Sequence, residues 1–157
     1  MWKIAIKLFG LFVLILLIET TITPYISGFL RIDLFLGLIM GLVIYVPFAY
    51  GITATFIFSF LLQAFSGARL GSLPFVYIGV YLGIELVKGF VYPENILVQI
   101  ALVCVFNVLV VAITGGFMDI WFVEEGLCPL ILGTALTGLA APVMIVTIKQ
   151  LYQKNES

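Results

Sequence analysis

From Leu34 through Ala68 the chain runs for 35 consecutive positions without a charged residue. As one helix, at about 1.5 Å per residue, such a run would measure about 50 Å, against a bilayer hydrocarbon core of about 30 Å. A stretch this long and apolar has no place in a soluble fold, and it is too long for one upright span. Pro47 and Gly51, in the sequence VPFAYG, offer a break near its middle. Two short spans, near residues 34–46 and 51–65, therefore compete with one long tilted helix.

Composition decides the solvent. Hydrophobic residues make up 64% of the 157 positions and charged residues 10%, where soluble chains carry about 25% charged residues; mean hydropathy is +1.30. The length leaves room for one integral membrane unit and no sizeable soluble domain. A net charge of −1 gives no reason to expect nucleic acid as a partner. The chain has no histidine, and its two cysteines, Cys104 within an apolar run and Cys128 at the head of another, match no metal spacing and are poorly placed to pair. Lys3 and Lys7 before a short apolar stretch resemble a signal peptide. The segment that follows, Glu19 to Pro24, has no small-residue cleavage pattern, so an uncleaved first helix is expected.

Charges and turn residues divide the rest into further apolar runs, near 73–87, 96–114 and 127–148. The expected architecture is all-α, a compact bundle of six transmembrane helices near 4–23, 32–47, 50–66, 71–91, 95–115 and 127–148. The basic residues choose between five spans and six. With six and a cytoplasmic N-terminus, Lys3, Lys7, Lys88, Lys149 and Lys154 fall inside and only Arg31 and Arg69 outside. With five, the larger share falls outside. The positive-inside rule thus favours six helices with both termini cytoplasmic, and the acidic segment around Asp119, Glu124 and Glu125 facing outward. Helices two and three are short for a bilayer, as if the membrane were thinned there or other helices sheltered them.

Several polar positions stand out. Thr55, Ser59 and Gln63 recur every four residues and so share one helix face. They can bond to another helix, line a cavity or hold a ligand; contact within the bundle is the plainer reading. Gln99 and Asn107 form a sparser face of the same kind. Gly37 and Gly41, and Gly79 and Gly83, are small-xxx-small pairs that let helix backbones approach, most simply within the chain's own bundle and otherwise against a partner helix. Glu85 and Lys88, three apart, are close enough to pair near the cytoplasmic end of helix four, with Lys88 snorkelling to the interface. Glu19 sits comparably at the outer end of helix one. Tyr45, Tyr50, Tyr77, Tyr81 and Trp121 read as interfacial or packing aromatics. Nothing resembles a nucleophile–base pair or a phosphate-binding glycine loop, so neither enzymatic activity nor a cofactor is expected.

The order of these features resembles the rod-shape-determining MreD family of small bacterial inner-membrane proteins, over about residues 17–153. Arg31-Ile-Asp-Leu34 matches that family's lead into helix two, with Ile32 in place of proline. The face of Thr55, Ser59 and Gln63, followed by Ser66-Gly67-Ala68-Arg69-Leu70-Gly71, is similar to its best-known stretch, with Gln63 in place of the usual acidic residue. Pro142 in the last helix and a basic exit at Lys149 are also similar. The resemblance implies a non-enzymatic scaffold of the cell-elongation machinery, acting in regulation of cell shape and side-wall peptidoglycan synthesis. It would bind a single-span MreC-like protein and, through it, MreB, RodA and a class-B penicillin-binding protein. Asp33, Thr55, Ser59, Gln63, Gly67, Gly71, Gly79 and Gly83 are the positions expected at its packing and partner faces. The alternative is the substrate-binding subunit of an energy-coupling-factor vitamin transporter, which has a similar number of helices but commonly shows an Ala-xxx-Ala pattern that helix one here lacks.

Overall fold

The computed structural model describes residues 2–22, 32–66, 71–117 and 127–153. Among these all the regular structure is helical: α1 (Trp2–Leu17), running into a π-helical turn (Ile18–Ile22), then α2 (Leu34–Tyr45), α3 (Phe48–Ser66), α4 (Ser72–Lys88), α5 (Ile96–Phe117) and α6 (Leu127–Gln153). Three of the six, α3, α5 and α6, are long and apolar enough to cross a membrane, over Phe48–Phe65, Ile96–Thr114 and Leu130–Tyr152.

The long uncharged run is two helices, and Pro47 is the reason. A residue before proline is pushed away from the helical region, and Val46 is extended at φ −107° and ψ 139° while its amide still closes the last turn of α2 on Leu42 O. Pro47 then serves the next helix, its carbonyl accepting from Tyr50 N and Gly51 N, each at 3.0 Å. At the opposite end of α3, Gly71 provides the turn into α4 with φ +87°, a conformation that costs a residue with a Cβ but not glycine. Asn95 caps α5, its side chain accepting from Leu97 N at 2.9 Å.

Apolar residues occupy every side of α2, the mark of a helix surrounded by protein. Phe35, Leu36, Leu38, Ile39, Met40, Leu42 and Val43 all have 0% exposure. Its most extensive packing is on α6. There Gly37 faces the Ala141 backbone, where an added Cβ would lie 3.2 Å from Cα, and Gly41 faces Ile148 with no room for a Cβ at all. Gly138 on the other side of α6 is as tightly placed against Cys104 and Ile100 of α5. Lacking hydrophobic drive between helices in lipid, such a bundle gains contact by bringing backbones close.

Aromatic rings join the N-terminal half. Phe12 of α1 stacks on Phe58 of α3 at 4.3 Å between centroids and meets Phe35 of α2 edge-on at 5.8 Å. Phe35 in turn meets Tyr77 of α4 edge-on at 4.8 Å. The outward faces are apolar, including Phe56 and Phe60 of α3, Phe75 and Leu86 of α4, and Leu139 and Val143 of α6.

Candidate functional site

A 12-residue helix reaches about 18 Å, so α2 cannot meet both surfaces of a bilayer of ordinary thickness. At least one of its ends lies where water is scarce, and the backbone groups there need protein partners. The structure supplies them at both ends, and the polar side chains that do so form the most connected site among the described residues.

At the start of α2, all four amides that lack a partner within the helix are bonded to side chains. Asp33, the N-cap, accepts from Leu36 N at 3.0 Å. Glu19, on the π-turn after α1, accepts from Leu34 N at 2.8 Å and Phe35 N at 3.2 Å. The amide of Asp33 itself donates to Thr137 Oγ1 of α6 at 3.0 Å, and the Thr137 hydroxyl donates to Gly133 O at 2.8 Å. The second oxygen of Asp33 accepts from the Tyr77 hydroxyl of α4 at 2.8 Å. Four helices thus meet on one helix N-terminus, and the two carboxylates lie where the helix dipole favours negative charge.

The far end of α2 has the opposite need. Val43 O would ordinarily accept from the residue four positions on, but that residue is Pro47, which has no N–H. Lys88 Nζ of α4 takes its place, donating to Val43 O at 2.7 Å, with Glu85 at 3.6 Å beside it. Lys149 of α6 lies 5.9 Å from the Tyr45 ring centroid at the same end. Acids at the N-terminus and bases at the C-terminus match the dipole along the whole helix. Lys88 and Glu85 do pair as their spacing allows, yet Lys88 turns to a neighbouring backbone instead of snorkelling outward.

The face of Thr55, Ser59 and Gln63 is buried, at 0%, 0% and 4% exposure. Its hydroxyls do not bridge helices: Thr55 donates to Gly51 O at 2.9 Å and Ser59 to Phe56 O at 3.0 Å, both on their own helix. What this face contributes is small volume beside Phe58 and Leu62. Gln63 differs, because its Oε1 accepts from Gly71 N at 3.0 Å and so fastens the end of α3 to the start of α4. An amide oxygen makes this bond without burying a charge, which gives the substitution of an expected acid a physical reading. Asn107 of α5 donates to Thr134 Oγ1 of α6 at 3.1 Å, and its Oδ1 has no partner among the described residues.

The expected positions therefore separate. Asp33 joins the α2 cluster, while Gln63 and Gly71 join each other. Gly83 packs under Phe106 of α5, and Gly79 is exposed with open space where a Cβ would be. Gly67 lies outside the described residues, as do Arg31, Arg69, Asp119, Trp121, Glu124, Glu125 and Lys154. Sequence reasoning missed Thr137, placed Glu19 only as a polar residue at a helix end, and took Tyr77 for an interfacial or packing ring. A signal was present in part: an apolar-all-round helix must be enclosed, and an enclosed N-terminus needs acceptors. Among the described residues no group of three or more His, Cys, Asp or Glu could hold a metal ion. Chemically, the arrangement satisfies backbone and joins helices.

No protein-family model, curated protein or solved structure matches this chain.

Proposed function

We propose that this chain is a non-enzymatic scaffold of the bacterial cell-elongation machinery, a six-span protein of the inner membrane with both termini cytoplasmic. In this reading it controls rod shape and side-wall peptidoglycan synthesis through helix contacts with an MreC-like single-span protein, and through it with MreB, RodA and a class-B penicillin-binding protein. The observation that carries the reading is the use made of the motif residues behind the MreD resemblance. Asp33, Gln63 and Gly71 are engaged in hydrogen bonds that fasten helix to helix, which is work that a scaffold needs. The apolar outward faces of α3, α4 and α6 suit partners that are themselves helices in the bilayer.

Depletion in a rod-shaped host is expected to give round, wide cells; rods of normal shape under full depletion would reject the reading. For the topology, a cysteine replacing Glu125 in a background without Cys104 and Cys128 is expected to react with an impermeant thiol reagent on intact cells. Reaction only after permeabilisation would reject six spans with the N-terminus inside. A vitamin copurifying with the protein would favour the transporter-subunit alternative instead.

A further inference from the structure

We infer that α1 is a detachable strap, latched by Glu19 over the aromatic edge formed by Phe35 and Phe58. The inference stands apart from the proposed function and follows from how differently the helices are held. α4 is tied by Tyr77 to Asp33, by Tyr81 to Phe48 O and by Lys88 to Val43 O. α6 is tied by Thr137 to Asp33 and by Thr134 to Asn107, and it is drawn close by Gly37, Gly41 and Gly138. α1 also packs on α6 and α2, but not through a glycine contact: its one glycine, Gly10, has nothing within 4 Å of its Cβ position. One face of α1, with Phe12 and Ile15, is buried, whereas Phe9, Leu14 and Leu17 are exposed.

In lipid those apolar contacts hold α1 weakly, because acyl chains compete for the same surface on nearly equal terms. The polar hold is Glu19, whose carboxylate is the side chain through which, among the described residues, α1 is hydrogen-bonded to another helix. It sits on the π-turn, a rare local departure from α-helical geometry. Its loss leaves the Leu34 and Phe35 amides without their acceptor, but the bonds of Asp33 do not depend on it. Asp33 still caps Leu36, Thr137 still accepts from Asp33 N, and Tyr77 still donates to Asp33 if α1 departs. α2 thereby keeps its place while Phe12 leaves the Phe58 and Phe35 rings.

The test uses the full chain in native membranes, without Cys104 and Cys128 and with one of two cysteine pairs. Phe12→Cys with Phe58→Cys reports α1 against α3, and Gly83→Cys with Phe106→Cys reports α4 against α5. A short bifunctional thiol crosslinker is applied, and the rate of crosslinking is followed for each pair. Glu19→Leu is expected to lower the ratio of attached to detached α1 about fivefold, the factor for loss of a single modest interaction, read as a slower α1–α3 crosslink with the α4–α5 rate unchanged. Glu19→Gln, which keeps an acceptor oxygen, is expected to restore most of the rate. An unchanged α1–α3 rate in Glu19→Leu would overturn the latch. A fall in both pairs together would overturn the strap, since Glu19 would then be holding the whole bundle.

Discussion

The start of α2 and the polar face of α3 are built from similar residue types, and they do opposite things. At the start of α2, Asp33, Glu19, Thr137 and Tyr77 come from four helices and each bonds outside its own helix or caps it. On α3, Thr55 and Ser59 return their hydroxyls to carbonyls three or four residues back. Burial does not account for the difference, because the α3 pair is fully enclosed and yet joins no helices, while Asp33 and Glu19 are only partly enclosed and do. The difference lies in the partner. A hydroxyl bonded to its own helix carries its bond wherever the helix goes, so it contributes little to holding the bundle together. A side chain bonded to another helix's free amide is lost when the two separate, and the amide is stranded with it.

That contrast can be broken by substitution, read as unfolding free energy in bicelles. Asp33→Ala is expected to cost most, about 3 kcal/mol, since it removes a cap and leaves both Leu36 N and the Tyr77 hydroxyl without an acceptor. Lys88→Met comes next at about 1.5 kcal/mol, because it exposes the lack of a donor that Pro47 imposes on Val43 O. Gln63→Leu, which removes the bond to Gly71 N, is expected to cost about 1 kcal/mol, making it the only member of its face with a substantial effect. Ser59→Ala is expected to change stability by less than about 0.5 kcal/mol, within the usual range for a bond that stays on one helix. A Ser59→Ala cost equal to that of Asp33→Ala would remove the distinction between the two regions.

What could be read beforehand follows the range of the interaction. The break at Pro47 was legible because proline acts on its immediate neighbours, and the enclosure of α2 was implicit in an apolar run with no polar side. The facing of Gly37 and Gly41 onto α6 was foreseeable as a kind of contact but not as a particular one. The cluster at Asp33 was not legible, because its partners are 15, 44 and 104 residues away. Nothing in the local pattern around Thr137 or Tyr77 indicates which helix end they will meet. The hydroxyls of α3 misled for the complementary reason: periodicity shows that residues share a face, and it is silent on whether they bond across it.

The glycine groove of α2 also has a consequence for biogenesis. Gly37 and Gly41 are in α2, and the surface that fills them, from Ala141 to Ile148, is in α6, which follows three helices later. Synthesis proceeds from the N-terminus at a pace of about 5–20 residues per second. For the several seconds between the two, α2 waits in the membrane with its closest-fitting face unmatched. Closure of the bundle is therefore coupled to synthesis of α6, and a ribosome that stalls before that helix leaves a product whose α2 has an open side.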